Sequence, residues 1–180
     1  MSPSAKTPRR VPMTVTFLEM KQRPAGPVPP TPRGKIALLR AEHPTVHFYR
    51  YLYDTIGEDY VWVERRKIDD TALAQILADP AVELYVLYVD GAPAGMAELE
   101  FSDTKVARLA YFGLMPEVLG RGVGSYFLYQ TCAIAWGREI NRLLVNTCTL
   151  DHPRALPMYQ RVGFVPTSRE DRFIELPDGF

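Results

Sequence analysis

One stretch of the chain stands out for the chemistry it could do: Pro116-Glu-Val-Leu-Gly-Arg-Gly-Val-Gly-Ser-Tyr-Phe-Leu128. Gly120, Gly122 and Gly124 let a backbone approach a ligand without side-chain interference, and the apolar pattern that follows starts a helix. The unpaired N–H groups at such a helix start, here those of Val123 and Ser125 among them, together with the positive end of its dipole, make an anion site. Arg121 is placed to add a side-chain contact to a phosphate or to stay in solvent. A nucleotide loop of the G-K-[ST] type is excluded, since no Lys follows these glycines. A dinucleotide fingerprint would need glycine at position 125 or 127, where Ser125 and Phe127 stand.

Other chemistry-bearing residues are few. Glu98 and Glu100 flank Leu99 on a strand, so both carboxylates share a face and are candidates for a general base or for a solvated pair. Cys148, Asp151 and His152 are too close in sequence to need a tertiary triad, and Asp151-His-Pro153 reads as a helix cap. Three histidines, with no C-x-x-C pair beside them, give no case for a metal.

The elements that must position these residues read from both periodicities. Strands are expected over 13–20, 36–41, 83–90, 94–101, 106–114, 143–149 and 171–176, and helices over 44–54, 69–79, 122–138 and 154–161. The short turns between 83 and 114 make three strands antiparallel, and the strand–helix–strand unit after them is parallel. Between the first two strands, Arg23-Pro-Ala-Gly-Pro-Val-Pro-Pro-Thr-Pro-Arg33 can join neither a helix nor a sheet interior and reads as a stiff loop. Residues 1–12 are expected to be a flexible terminus and 13–180 one domain.

The glycine turn resembles the pyrophosphate-binding motif of the GNAT acyltransferases, Q/R-x-x-G-x-G/A, with Leu119 in the place of the usual Gln or Arg. A second likeness, to N-x-x-A-x-x-L-Y-x-x-x-G-F, runs from His152 through Ala155, Met158 and Tyr159 to Gly163-Phe164, with His152 in place of the Asn and Met158 in place of the Leu. The resemblance covers roughly the last hundred residues. It implies a mixed α/β fold: a twisted sheet of about seven strands, mostly antiparallel, with about four helices. It also implies transfer of acetyl from acetyl-CoA to a primary amine by direct attack, with no metal. In that likeness Tyr159 returns a proton to the leaving thiolate, Glu98 or Glu100 serves as base, and Phe112 and Leu114 offer backbone groups to the pantetheine and thioester. The turn from Leu119 to Ser125 would hold the pyrophosphate, and His152 would face the pantetheine. Acetylation of a protein lysine or N-terminus, and a non-catalytic CoA-binding module, are the alternative readings that Leu119, His152 and the less similar first third leave open.

Composition narrows the partners. Lys plus Arg and Asp plus Glu both number 21, so no net field recruits nucleic acid or an anionic membrane. Cys132 and Cys148 lack a disulfide framework, which points to reduced thiols in the cytoplasm. The closing strand, with Asp171, Arg172 and Glu175, would suit a homodimer edge as well as a solvated one.

Overall fold

The computed structural model describes residues 9–177. Seven strands form one sheet: β1 (Arg9–Met20), β2 (Ile36–Ala41), β3 (Val82–Val89), β4 (Ala92–Glu100), β5 (Val106–Leu114), β6 (Arg142–Cys148) and β7 (Val165–Leu176). Four helices accompany it: α1 (Val46–Gly57), α2 (Asp70–Ala78), α3 (Val123–Ala135) and α4 (Ala155–Val162). The strand order is β2-β3-β4-β5-β6-β1-β7, antiparallel throughout except for the parallel pair β5 and β6. The expected fold class is therefore the observed one.

Each helix forms for local reasons and is held by an apolar face. Thr45 caps α1 by accepting from the Phe48 N–H, and Tyr49, Leu52, Tyr53 and Ile56 recur at helical spacing on its buried side. Burying Leu52 and Ile56 stabilises the fold by about 1.5–3 kcal/mol each. Asp69 caps α2 in the same way, accepting from the Ala72 N–H at 2.7 Å. α3 buries Val123, Phe127, Leu128 and Cys132, and α4 ends at Gly163, whose φ of +120° few residues other than glycine adopt.

Two departures from the sequence reading matter for the site. β1 starts at Arg9, so residues 9–12, expected to be free, pair with residues 173–176 of β7; the rest of that expected terminus, residues 1–8, lies outside the described residues. β1 also takes a place that chain order does not announce, between β6 and β7. The second departure is β7 itself, which begins at Val165 rather than 171 and is exposed over most of its length.

The sheet opens in the middle. β5 and β6 pair only from Val106 with Arg142 to Leu109 with Val145. At that point the register of β5 against β4 jumps from Leu99↔Leu109 to Glu98↔Tyr111, so Ala110 is an extra, bulged residue. A bulge bends and twists its strand. Past it, residues 111–114 stay paired with β4 and residues 146–148 of β6 stay paired with β1, while β5 and β6 no longer pair with each other.

Candidate active site

The gap between β5 and β6 is the floor of a cavity of about 700 Å³. One wall is residues 109–114 of β5, and the opposite wall is residues 145–148 of β6. Among the described residues no strand pairs with the β6-facing edge of β5 beyond Leu109, so the backbone amides and carbonyls of Phe112 and Leu114 are free to meet a ligand in extended conformation. Both residues line the cavity.

The glycine turn closes one end. A short 3-10 turn, Pro116–Val118, leads into Leu119, and Gly120 and Gly122 both take φ of +76°. Left-handed backbone at these two positions swings the chain so that α3 begins at Val123 with no side chain capping its N–H groups. A Cβ at either glycine would meet nothing within 4 Å, so the space beside the turn is open to a ligand. Gly124 has a different function. A methyl there would stand 3.2 Å from Leu114 Cδ1 and 3.4 Å from Met158 Sδ, so its absence lets α3 sit close to the end of β5 and to α4.

Of the residues singled out in this turn, Leu119, Gly120, Gly122, Gly124 and Ser125 line the cavity, while Arg121 and Val123 do not. Val123 is buried, and only its backbone can face a ligand. Arg121 points to solvent.

Tyr159 comes from the opposite direction. Its ring is buried on α4, tilted against Phe112 and Phe164 at centroid distances of 6.4 and 5.8 Å. Tyr159 lines the cavity, and its hydroxyl makes no hydrogen bond to another described residue. Burial, with the Asp151 carboxylate and the Cys132 thiol nearby, raises its pKa well above that of an ordinary phenol. The group therefore keeps its proton through the neutral range, as a proton donor must. Asp151 itself is fixed by accepting from Thr147 Oγ1 at 2.7 Å and from the Cys148 N–H at 2.8 Å. His152 lines the cavity, with its ring 5.9 Å from that of Tyr60. Its Nδ1 accepts from the Arg154 N–H at 3.0 Å, which leaves Nε2 to carry the proton in the neutral ring.

The two glutamates separate. Glu98 is completely buried and does not line the cavity; Oε2 accepts from the Tyr49 hydroxyl and Oε1 from Arg65 Nη2, each at 2.5 Å. With both oxygens engaged and no path to the cavity, Glu98 does not join the other candidates. Glu100, two residues on, does line it, with 30% of its side chain exposed. Partial burial and the negative charge of Glu98 raise the Glu100 carboxyl, with Arg65 and Arg108 pulling it partly back. A carboxylate poised above its ordinary range is better suited to accept a proton near neutrality.

Several residues of the site carry no local sign in the sequence. Arg65 lies in the irregular segment between α1 and α2, and reaches Glu98 across 33 positions. That segment is clipped down by Arg50, which donates to Asp70 Oδ1, the Arg65 carbonyl and the Ile68 carbonyl at 2.8–3.0 Å. Arg66 clips it again, donating to the carboxylate and the carbonyl of Asp54 at 2.8 and 3.1 Å. Tyr53, Trp62 and Tyr111 form an aromatic wall, with ring centroids 5.1–5.3 Å apart. Trp62 fits there because Gly57 and Gly113 leave it room, a Cβ on either glycine running into its indole or into Ile56. One signal was available for Arg108: the short turn at 102–105 brings Glu100 opposite it, as the register shows.

Comparison with known proteins agrees with this geometry. The family model described as "Acetyltransferase (GNAT) family" matches residues 42–164, more than half of the chain. Among solved structures, a functionally unknown conserved protein from Staphylococcus epidermidis is similar with a TM-score of 0.65 at 14% identity, over 92% of this chain and 62% of its own. A GCN5-related N-acetyltransferase from Kribbella flavida gives 0.60 at 17%, over 93% of this chain and 61% of its own. An aminoglycoside acetyltransferase from an uncultured soil metagenomic sample, in complex with sisomicin, gives 0.56 at 15%, over 71% of this chain and 86% of its own. The chain thus spans about three fifths of the length of the first two, and at these identities the likeness is one of fold. No curated protein matches the chain in sequence. With the family model covering the opened sheet, the glycine turn and α4, the chain belongs to the GNAT acetyltransferase family.

Proposed function

We propose that this protein is an N-acetyltransferase that moves an acetyl group from acetyl-CoA to a primary amine within a ternary complex. The observation that carries the reading is the convergence of three features on one cavity: the backbone edge freed beyond Leu109, the uncapped start of α3, and the Tyr159 hydroxyl. The residues present fit the donor. Gly120 and Gly122 leave open space where a pyrophosphate would lie against the N–H groups of α3. The free edge of β5 at Phe112 and Leu114 offers amide partners for a pantetheine arm, and His152 Nε2–H is a further donor along it. Leu119 contributes only apolar contact where a charged or amide side chain would add a hydrogen bond, so the phosphates rest on backbone groups.

Bound acetyl-CoA supplies an activated acetyl thioester, whose C–S bond is exchanged for a C–N bond to the amine. An alkyl amine, with a pKa of about 10, arrives as an ammonium ion, and Glu100 takes its proton directly or through water. Tyr159 gives its hydroxyl proton to the departing sulfur and is reprotonated from solvent; the nitrogen loses one proton to Glu100 before attack and a second after the C–N bond has formed, so that of the two protons one is balanced by the thiol and one is released to solvent. The aromatic wall excludes water from the acceptor, which strengthens the pull of the β5 amides on the thioester oxygen. Because all seven strands belong to one sheet, we read β1 to β7 as a single acyltransferase unit. The unpaired thiols of Cys132 and Cys148 support a reducing compartment, the cytoplasm.

The direct test is thermal unfolding with and without acetyl-CoA. Saturation at a hundred times the dissociation constant should stabilise the protein by about 2.7 kcal/mol. Free CoA lacking the acetyl group should do nearly as well, since most of the expected contacts go to the carrier. No shift at millimolar donor removes the reading.

A further inference from the structure

Two carboxylate–guanidinium pairs stand side by side next to the aromatic wall, and they are in opposite states. The Glu98–Arg65 pair is closed: both glutamate oxygens are hydrogen-bonded and the guanidinium is held at 2.5 Å. The Glu100–Arg108 pair is open. Glu100 Oε2 is 3.9 Å from Arg108 Nε, and Oε1 is 4.0 Å from Arg65 Nη2, both too long for a hydrogen bond. Neither Glu100 oxygen accepts a hydrogen bond from another described residue. Arg108, 48% exposed, has no other ion pair or hydrogen bond among the described residues. The two face each other directly across the β4–β5 ladder, and both line the cavity.

An open pair of this kind complements a zwitterion. An ammonium alone would meet Glu100, but with Arg108 and Arg65 within about 4 Å of the same carboxylate it would also meet two positive charges. A second cation on the acceptor would worsen that repulsion. An acceptor carrying a carboxylate one or two carbons from its amine turns the repulsion into attraction. Its ammonium takes the free oxygens of Glu100, and its carboxylate takes the unused donor fork of Arg108.

We infer, on the basis of the acetyl-transfer reading above, that the acceptor is a small α- or β-amino acid whose amine and carboxylate bridge Glu100 and Arg108. Its side chain is apolar or aromatic, because the adjoining surface is built from Tyr53, Trp62 and Tyr111. The carboxylate takes no part in bond making; Arg108 is a recognition residue, and the proton still passes from the ammonium to Glu100. On this inference the chain differs in acceptor from the structurally similar protein that was solved with sisomicin, a polycationic amine.

The test is a CoA-release assay on matched acceptors: leucine against isopentylamine, phenylalanine against phenethylamine, with sisomicin as the polycation. The expected result is a kcat/KM at least tenfold higher for each amino acid than for its decarboxylated partner, and no measurable turnover of sisomicin. In Arg108→Gln that ratio should fall toward one, mainly through KM of the amino acid. Arg108 also lowers the Glu100 carboxyl, so its loss changes the base for both members of a pair alike and the ratio isolates recognition. The rise in melting temperature with acetyl-CoA shows that the variant is folded. Equal or faster turnover of the decarboxylated amines or of sisomicin overturns the inference and leaves acetyl transfer standing. Stabilisation by acetyl-CoA with no thiol release from any amino acid overturns it too. A protein that acetyl-CoA fails to stabilise instead removes the reading on which the inference rests.

Discussion

The donor end and the acceptor end of the cavity are built by different means. At the donor end the contacts come from backbone: two left-handed glycines, the first turn of α3 and the free edge of β5. At the acceptor end they come from side chains that cross the fold, with Arg65 reaching Glu98, Tyr49 reaching Glu98 over 49 positions, and Arg50 holding the intervening segment in place. Backbone sites tolerate exchange of most side chains but not of glycine. Side-chain sites depend on each partner, and losing one leaves the other stranded.

The largest effect should follow from breaking the closed pair. Arg65→Met leaves Glu98 as a buried, half-satisfied carboxylate and should cost about 3–5 kcal/mol of stability, as seen by urea denaturation. Adding Glu98→Gln should recover part of the loss, and a double variant no better than the sum of the two single ones would show that the pair is not coupled. Next comes Tyr159→Phe, which removes the hydroxyl and keeps the ring; kcat should fall about 10²-fold with KM for acetyl-CoA nearly unchanged. Undiminished turnover would take Tyr159 out of the chemistry. At the donor end, Gly122→Ala forces a methyl into φ of +76° without any clash, so stability should drop by only about 1 kcal/mol. Acetyl-CoA should bind more weakly in the same variant, by calorimetry, as the α3 N–H groups turn away.

The smallest effect is on pH dependence. Glu100 must be ionised to accept a proton, and its carboxyl lies above the ordinary glutamate value, so kcat/KM should fall on the acid side at a higher pH than an unperturbed glutamate would give. Removing the nearby positive charge in Arg108→Gln should move that limb to still higher pH. Glu100→Gln should abolish it. A limb that stays in place in all three proteins would assign the base to another group.

The same contrast explains what could be read before any coordinates. The glycine turn and the run to Tyr159 are local patterns, each within about fifteen residues, so their place in the fold follows from their own sequence. Glu98 and Glu100 look alike in sequence, since alternation puts both on one face. Only the packing of Tyr49 from α1 and Arg65 from the following segment shows that one is buried and sealed while the other is open. Arg65 and Trp62 were illegible as site residues because their partners lie 33 or more positions away or on another element. The start of β7 was missed for a different reason. Val165 to Glu170 is exposed on both faces, so no apolar alternation marks it, and only pairing with β1 makes it a strand.

The position of β1 has a consequence for how the protein is made. Thr14 pairs with Asp171, 157 residues later, and its hydroxyl donates to that carboxylate at 2.7 Å. The slot for β1 between β6 and β7 does not exist until both of those strands have left the ribosome. At a synthesis rate of about 5–20 residues per second, β1 waits roughly ten to thirty seconds for its second neighbour. During that time its alternating apolar face must be kept from other chains, by chaperones or by transient pairing. The sheet then closes late, from the two ends of the chain toward each other, as the slow step expected of contacts so distant in sequence.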